Sequence, residues 1–171
     1  MPFYQLQGKV PNKRHIQFRD DSGNLYYEEL ISRKGFSSLY SNVYHINPPT
    51  AIKQVGKFQR IERQSLDNPH RHHHVRSFDL KSTGNAINAR LLLFYNDDVD
   101  ISIAKIDKSM NSFYRNGHND EIIYIQSGSG KFYSNFGNMD LLQGDYIVIP
   151  RGVIWKIEVD EKMKQFIMET K

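Results

Sequence analysis

The sequence predicts an all-β fold, an antiparallel sandwich or barrel, on three observations. Its second half consists of short apolar or alternating runs broken by Gly, Asn and Asp, a pattern typical of antiparallel sheets. Aromatic residues make up 12% of the chain, including ten Tyr and ten Phe, and such rings pack well on pleated strands. A chain of 171 residues is also long enough to bury one β core. We therefore expect one compact domain.

The chain divides into two stretches of different character. Residues 1–75 contain five of the six prolines and show little periodicity, so they predict an extended arm with short strands that packs on the barrel. Within this arm, the most ordered pieces are expected at Lys9 to Phe18 and Leu25 to Leu30. Residues 76–171 predict the barrel itself. Its strands are expected at 89–95, 99–106, 121–126, 131–136, 145–149, 153–159 and 164–169.

The composition restricts the possible chemistry and location. The chain has no cysteine, which excludes disulfides, thiolate zinc sites and cysteine nucleophiles, so any metal would need His, Asp or Glu ligands. The net charge is +4, but 23 basic residues are interleaved with 19 acidic ones, which argues against a nucleic-acid partner. No apolar stretch is long enough to span a membrane, and the N-terminus lacks a signal-peptide pattern. We expect a cytoplasmic protein.

Two motifs have the spacing of small metal-binding jelly rolls. Glu121 begins an apolar run that reaches Gly128 and Gly130, and Gly144 begins a run that continues through Pro150 to Gly152 and Trp155. Together they resemble the two cupin motifs. The glycines and Pro150 are expected to permit tight turns and to end a strand, and so to serve the fold rather than the chemistry.

The histidines of a cupin metal site are missing from these motifs. In cupins, two histidines just before the Glu and a third in the second motif converge on the metal. Here the stretch 113–120 has no such pair, and Trp155 stands at the position of the third histidine. One carboxylate cannot hold Fe(II) or Zn(II) unaided. His118, in a turn-prone run, is a weak candidate ligand. Glu121 is either a ligand remnant or the partner of a nearby cation such as Arg115, and we favour the ion pair.

The run from His70 to Arg76 is the most unusual local composition in the chain. On a strand, His70, His72 and His74 would face one way, and neutral imidazole is a common metal ligand. Residues of one extended run project in parallel about 7 Å apart, which is too far to chelate one ion comfortably. A polar segment, an anion-contacting or interface patch and a metal site all remain open, in that order of preference.

Several stretches resemble the shorter bacterial type of homogentisate 1,2-dioxygenase. These stretches are 2–4, 8–11, 13–18, 25–30, 35–37, 44–50, 113–117, 120–121 and 144–152. The resemblance implies an Fe(II) enzyme of tyrosine and phenylalanine catabolism that opens homogentisate with O2 to give maleylacetoacetate. It further implies that the iron is held by two His and one Glu of a C-terminal catalytic domain, and that the enzyme is a homo-oligomer built from trimers.

The family's C-terminal domain has no counterpart in these 171 residues. We therefore expect a non-catalytic N-terminal domain that binds no cofactor itself, has no catalytic residue, and has the catalytic domain as its partner. Two alternatives remain. One is a stand-alone, metal-free cupin that binds a small molecule or a protein, and the other is a metalloenzyme that uses His70, His72, His74 or His118 with Glu121.

Overall fold

The computed structural model describes residues 17–32, 34–37, 40–58, 63 and 71–170, without the side chain of Phe78. The described part contains nine strands and two short 3-10 helices at Gly35–Ser37 and Ser77–Asp79. The strands are β1 (Tyr27–Ser32), β2 (Tyr40–His45), β3 (Arg90–Tyr95), β4 (Val99–Ile106), β5 (Tyr114–Arg115), β6 (Asp120–Ser134), β7 (Gly137–Leu141), β8 (Tyr146–Ile149) and β9 (Ile154–Thr170). Most of the predicted piece Lys9 to Phe18 lies outside the described residues. None of the described helices is long and apolar enough to cross a membrane.

Seven strands form the barrel, and two long strands hold it together. β6 and β9 pair antiparallel from Asp120–Thr170 at one end to Ser134–Trp155 at the other. The first half of β6 also pairs with β8, and its second half with β7. The late half of β9 continues through β4 to β3, while β5 pairs with its early half. The bent β6–β9 pair is thus shared by two sheet halves.

The core lies between these two sheet halves. Buried apolar side chains come from both halves and form one cluster, which includes Ile123, Ile125 and Ile167 from one half and Phe132 and Ile157 from the other. The inward side chains alternate with outward ones along each strand, as the two-residue period of a strand requires. The prediction of an all-β, cupin-type jelly roll is confirmed.

The glycines of the first motif allow a bend and not a turn. We expected separate strands at 121–126 and 131–136, and again at 153–159 and 164–169, but each pair is one continuous strand with register shifts between Ile125 and Gly130. Gly128 has φ +84°, and a Cβ there would lie 2.2 Å from the carbonyl oxygen of Lys162. Gly130, which does not have a positive φ, has no room for a Cβ either. Both glycines let β6 bend closely against β9.

The other strand predictions differ from the structure in detail. The predicted strand 99–106 is observed with the same bounds, and those at 89–95 and 145–149 are each shorter by one residue. The ordered piece expected at Leu25 to Leu30 overlaps the observed strand Tyr27–Ser32. The sequence analysis missed three strands: β2, β5 and β7.

The hairpin formed by β1 and β2 is tied to the barrel by an ion pair. Arg115 Nη2 on β5 donates to both carboxylate oxygens of Glu29 on β1, at 2.8 and 3.0 Å. The second oxygen of Glu29 also lies 2.8 Å from Nε2 of His45 on β2. The expectation that Arg115 pairs with Glu121 is therefore wrong. Arg115 stabilises the contact between hairpin and barrel instead.

Candidate functional site: a buried ion-pair cluster in the barrel

Three carboxylates lie in one row across the inner face of the sheet. Asp100 on β4 pairs in register with Glu169 on β9, which in turn pairs with Glu121 on β6. Asp100 is 6% exposed and Glu121 is 1% exposed. Buried carboxylates are costly unless they are paired and hydrogen-bonded. The cations and N–H donors that contact this row therefore determine whether its carboxylates are free to bind a ligand.

Arg90 on β3 neutralises two of these carboxylates. Its Nη1 donates to Oε1 of Glu121 at 2.5 Å and lies 3.3 Å from Oε1 of Glu169. Its Nε donates to the backbone carbonyl of Ala86, which fixes the direction of the side chain. The side chain of Arg90 is only 12% exposed, so the ion pair lies inside the barrel.

Three further side chains complete the group that we call the Arg90 cluster. Trp155 Nε1 donates to Oε2 of Glu121 at 3.1 Å, and Asn116 Nδ2 donates to Oε1 of Glu169 at 3.0 Å. The guanidinium carbon of Arg90 lies 5.8 Å from the ring centroids of both Tyr114 and Trp155, within the range of cation–π attraction. The cluster consists of Arg90, Tyr114, Asn116, Glu121, Trp155 and Glu169.

Tyr114 and Asn116 come from the stretch just before Glu121, where a cupin metal site carries its two histidines. Trp155 comes from the second motif, where the third histidine is expected. All three reach the same place in the barrel as Glu121. This chain therefore carries Tyr114, Asn116 and Trp155 beside Glu121, at the positions where a cupin metal site carries histidines.

A metal ion does not fit this donor set. Both oxygens of Glu121 already accept hydrogen bonds, one from a guanidinium and one from an indole N–H, and neither donor group can ligate a metal. The fixed positive charge of Arg90 would also repel a divalent cation. Within the described residues, no group of three or more His, Asp or Glu side chains has a geometry that could hold a metal.

The cluster shifts the proton affinity of two of its members. Burial raises the pKa of Glu169, with the charges of Glu121 and Asp100 adding to this, while Arg90 and the hydrogen bond from Asn116 oppose it. Burial also raises the pKa of the Tyr114 hydroxyl, and the charge of Glu121 adds to that effect. Tyr114 therefore stays neutral well above neutral pH, and Glu169 holds its proton more strongly than an exposed glutamate does.

Asp100, the third carboxylate of the row, has a different cation. Arg63 donates to its Oδ2, and the Arg63 guanidinium also lies 5.1 Å from the ring centroid of Tyr95. Oδ1 of Asp100 is buried without a hydrogen-bond partner, as is Nη2 of Arg90. Each end of the carboxylate row thus has one arginine.

The candidate ligands predicted from the sequence do not come together. Glu121 is buried in the Arg90 cluster, whereas His118 is exposed in the loop after Asn116. His72 and His74 are exposed in a segment without regular strand structure, and His70 lies outside the described residues. The favoured interpretation of Glu121 as an ion-pair partner is supported, with Arg90 as the cation.

The sequence analysis did not identify the other members of the cluster as site residues. Arg90 begins the run RLLLFY, and a charged residue at an inward position of an apolar strand is a sign of a buried partner. Glu169 ends a similar run at the other end of the chain. The sequence pattern thus contained a sign that these charged residues are buried. It did not show that the two distant runs are brought together in one sheet, with β4 between them.

Comparison with known proteins identifies the family. A family model described as homogentisate 1,2-dioxygenase N-terminal matches residues 41–171. The chain belongs to this family. A curated protein of Saccharolobus solfataricus, described as "Putative dioxygenase", is 38% identical over the whole chain. The chain spans 45% of the length of that relative.

Two solved structures are similar to about half of the chain. A cupin-2 domain protein of Shewanella frigidimarina is 22% identical, with a TM-score of 0.43 over 48% of this chain and 79% of its own. A cupin protein of Bacteroides fragilis is 20% identical, with a TM-score of 0.43 over 54% of this chain and 85% of its own. Neither similarity says anything about function.

Proposed function

We propose that this chain is the non-catalytic N-terminal barrel of a homogentisate 1,2-dioxygenase. In this proposal the whole enzyme opens the ring of homogentisate with O2 to give maleylacetoacetate, and its Fe(II) is held by a separate catalytic domain. Membership of the family and the dioxygenase description of the relative support a dioxygenase-related role. The homogentisate substrate, the iron and a trimer-based assembly are parts of the proposal.

The observation that carries the non-catalytic role is the Arg90–Glu121 ion pair. A catalytic iron site of this fold needs open coordination positions beside its His and carboxylate ligands. In this barrel the one carboxylate at a ligand position is bound by Arg90 and Trp155. We therefore derive no catalytic step inside this barrel, and its contribution is to support the catalytic domain.

The experiment measures oxygen uptake and iron binding by the purified chain. The chain is incubated anaerobically with Fe(II), freed of excess metal, assayed for iron, and then mixed with homogentisate in an oxygen electrode. We expect less than one equivalent of retained iron and a rate equal to that of the metal-only blank. Saturable uptake by this chain alone would contradict the proposal.

A second arm tests the supporting role. The chain is co-expressed with the remaining part of a family enzyme, and the yield of soluble catalytic part and its oxygen uptake are measured. We expect both to increase when the chain is present. No increase in either would leave the alternative, a stand-alone metal-free cupin. That alternative is favoured by one observation, the buried Nη2 of Arg90 and the buried amide of Gln165, which have no hydrogen-bond partners and could bind a small polar molecule.

Substitution of Glu121 separates these outcomes from a metalloenzyme that uses Glu121. If Glu121 were a ligand, Glu121→Gln would abolish any retained iron, and Glu161→Gln serves as the matched control at an exposed glutamate. We expect neither substitution to change the amount of iron retained. A loss of stoichiometric iron with Glu121→Gln would show that the barrel itself holds the metal.

A further inference from the structure

Asn116 is followed by Gly117, and this is the one Asn-Gly pair in the chain. In such a pair the backbone nitrogen of the glycine can attack the side-chain carbonyl of the asparagine, because glycine has no side chain to hinder it. The reaction, called deamidation, is one reason why asparagine is a thermolabile residue. Asn116 also belongs to the Arg90 cluster, so its modification changes the surroundings of Glu169.

The fold holds both ends of the Asn116 amide. Its Oδ1 accepts from the backbone N–H groups of His118 and Asn119, each at 3.0 Å, and its Nδ2 donates to Oε1 of Glu169, also at 3.0 Å. The backbone carbonyl of Asn116 accepts from the N–H of Gly152 at 2.8 Å, which ties the loop to the second motif. A nucleophile approaches a carbonyl carbon from above the amide plane, whereas hydrogen bonds lie near that plane and keep the amide from turning. The closed loop therefore protects Asn116.

The backbone at Gly117 has no comparable protection. Gly117 is exposed and does not have a positive φ. Among the described residues, no atom lies within 4 Å of a Cβ built on Gly117, so water reaches this side of the loop. The hydrogen bonds of Asn116, rather than burial of the attacking nitrogen, therefore control the reaction.

We propose that Asn116 is a latent deamidation site, which reacts when its loop opens, and that the product keeps the Arg90 cluster from closing again. This inference does not depend on the proposed function. The backbone nitrogen of Gly117 bonds to Cγ of Asn116, the Cγ–Nδ2 bond breaks, and Nδ2 leaves as ammonia with the proton that Gly117 gives up. Water then adds to one of the two carbonyls of the resulting cyclic imide and opens it to an aspartate or an isoaspartate.

The product places a carboxylate where the cluster has an N–H donor. An oxygen replaces Nδ2 of Asn116 and faces Oε1 of Glu169. The three carboxylates of the row and the new one then face only the two arginines that pair with Glu121 and Asp100. Like charges at this distance repel each other. The isoaspartate form also routes the main chain through the former side chain, which displaces the carbonyl that accepts from Gly152.

The first experiment compares the rate of deamidation of Asn116 in the folded chain and in guanidinium chloride, at the same pH and temperature. Peptide mass spectrometry measures the fraction of Asn116 that has become an acid. Three hydrogen bonds hold the amide, and each contributes about a factor of five, so the folded chain should react more slowly by roughly a hundredfold. Gly117→Ala is the matched control, because its methyl group hinders the attacking nitrogen and should slow the reaction in guanidinium chloride. Equal rates in the folded and unfolded chains, or no reaction of Asn116 in the unfolded chain, would overturn the proposal.

The second experiment tests whether the product keeps the cluster open. Asn116→Asp introduces the carboxylate directly, and Asn111→Asp is the matched control, since it makes the same exchange at an exposed asparagine. Asn116→Asp should lower the equilibrium constant for folding by roughly tenfold or more, because the hydrogen bond to Glu169 is replaced by repulsion, whereas Asn111→Asp should leave it unchanged. Hydrogen exchange at the N–H of Gly152 reports on the loop itself and should be faster in Asn116→Asp than in Asn111→Asp. An Asn116→Asp chain that matches its control in both measurements would overturn the proposal.

Discussion

Replacement of Arg90 by Met should destabilise the barrel strongly. The substitution removes the cation that pairs with Glu121, whose side chain is 1% exposed, and leaves that carboxylate inside the core. Removing one partner of a buried ion pair typically costs about 3–5 kcal/mol, because the remaining charge is uncompensated. The free energy of unfolding of a whole domain is roughly 5–15 kcal/mol, so the loss would be a large part of the total.

Urea unfolding followed by fluorescence measures this loss directly. Trp155 is the single tryptophan, it is fully buried, and its indole N–H donates to Glu121. Its emission therefore reports both the unfolding of the barrel and the state of the cluster. Far-UV circular dichroism provides a second probe that does not depend on the surroundings of Trp155. A loss below about 1 kcal/mol, the value typical of surface pairs, would refute the account of Arg90 as a structural cation.

The double variant Arg90→Met and Glu121→Met separates pairing from burial. An apolar pair of similar volume avoids the unpaired carboxylate, so the double variant should lose less stability than the two single variants together. It should still lose about 1–3 kcal/mol, because the indole N–H of Trp155 would be left without its acceptor. Lys156→Met is the control at an ion pair near the surface, since Lys156 pairs with Glu158 there, and little or no change is expected. Additive losses in the double variant would show that the two residues do not act as a pair.

Three other outcomes follow from the geometry. Glu169 has its pKa raised above the ordinary 4.5, so the folded state keeps a proton that the unfolded state releases, and stability should fall as the pH rises from 4.5 through the raised value. Glu169→Gln should remove this part of the pH dependence of urea unfolding, and an unchanged profile would contradict the assignment. Gly128→Ala should lower the free energy of unfolding by several kcal/mol, on the order of 3, because its Cβ would overlap the backbone of Lys162. Gly117→Ala, at a site open to solvent, should change it little in the same urea unfolding experiment. Burial raises the pKa of Tyr114, so one tyrosine should ionise at a higher pH in a spectrophotometric titration of the native protein than in urea. This high-pH step should be missing from the titration of Tyr114→Phe.

The fold could be predicted from the sequence because its signals are local. Alternation and turn residues gave strand β4 with its observed bounds and strands β3 and β8 within one residue. The same signals failed at the bend of β6, where Gly128 and Gly130 have the composition of a turn. Only the close approach of β9 shows that these glycines make room for another backbone and keep the strand continuous. A contact between residues as distant in sequence as Gly128 and Lys162 leaves no periodic trace in either segment.

The site was predicted in part, for a related reason. The motif spacing placed Glu121 and Trp155 in one barrel, and the missing histidines argued against a metal there. Arg90 was missed because its partner could be identified only by pairing β3 with β4, β4 with β9 and β9 with β6. The nearest cation in the sequence, Arg115, is on a strand but points to the hairpin and binds Glu29. Proximity along the chain is a poor guide to ion pairs in a sheet whose neighbouring strands are far apart in sequence.

The Arg90 cluster can be understood as a replacement of a metal ion by a covalently attached cation. In both cases a positive charge is needed, because a carboxylate at the position of Glu121 points into an apolar barrel and is costly without a counter-charge. A metal supplies that charge with open coordination positions, which permit chemistry. Arg90 supplies it with directed N–H donors, of which Nε and Nη1 bind a carbonyl and a carboxylate oxygen, and two aromatic rings lie against the guanidinium. The barrel thereby carries a positive charge beside Glu121, and both oxygens of this carboxylate are occupied by N–H donors.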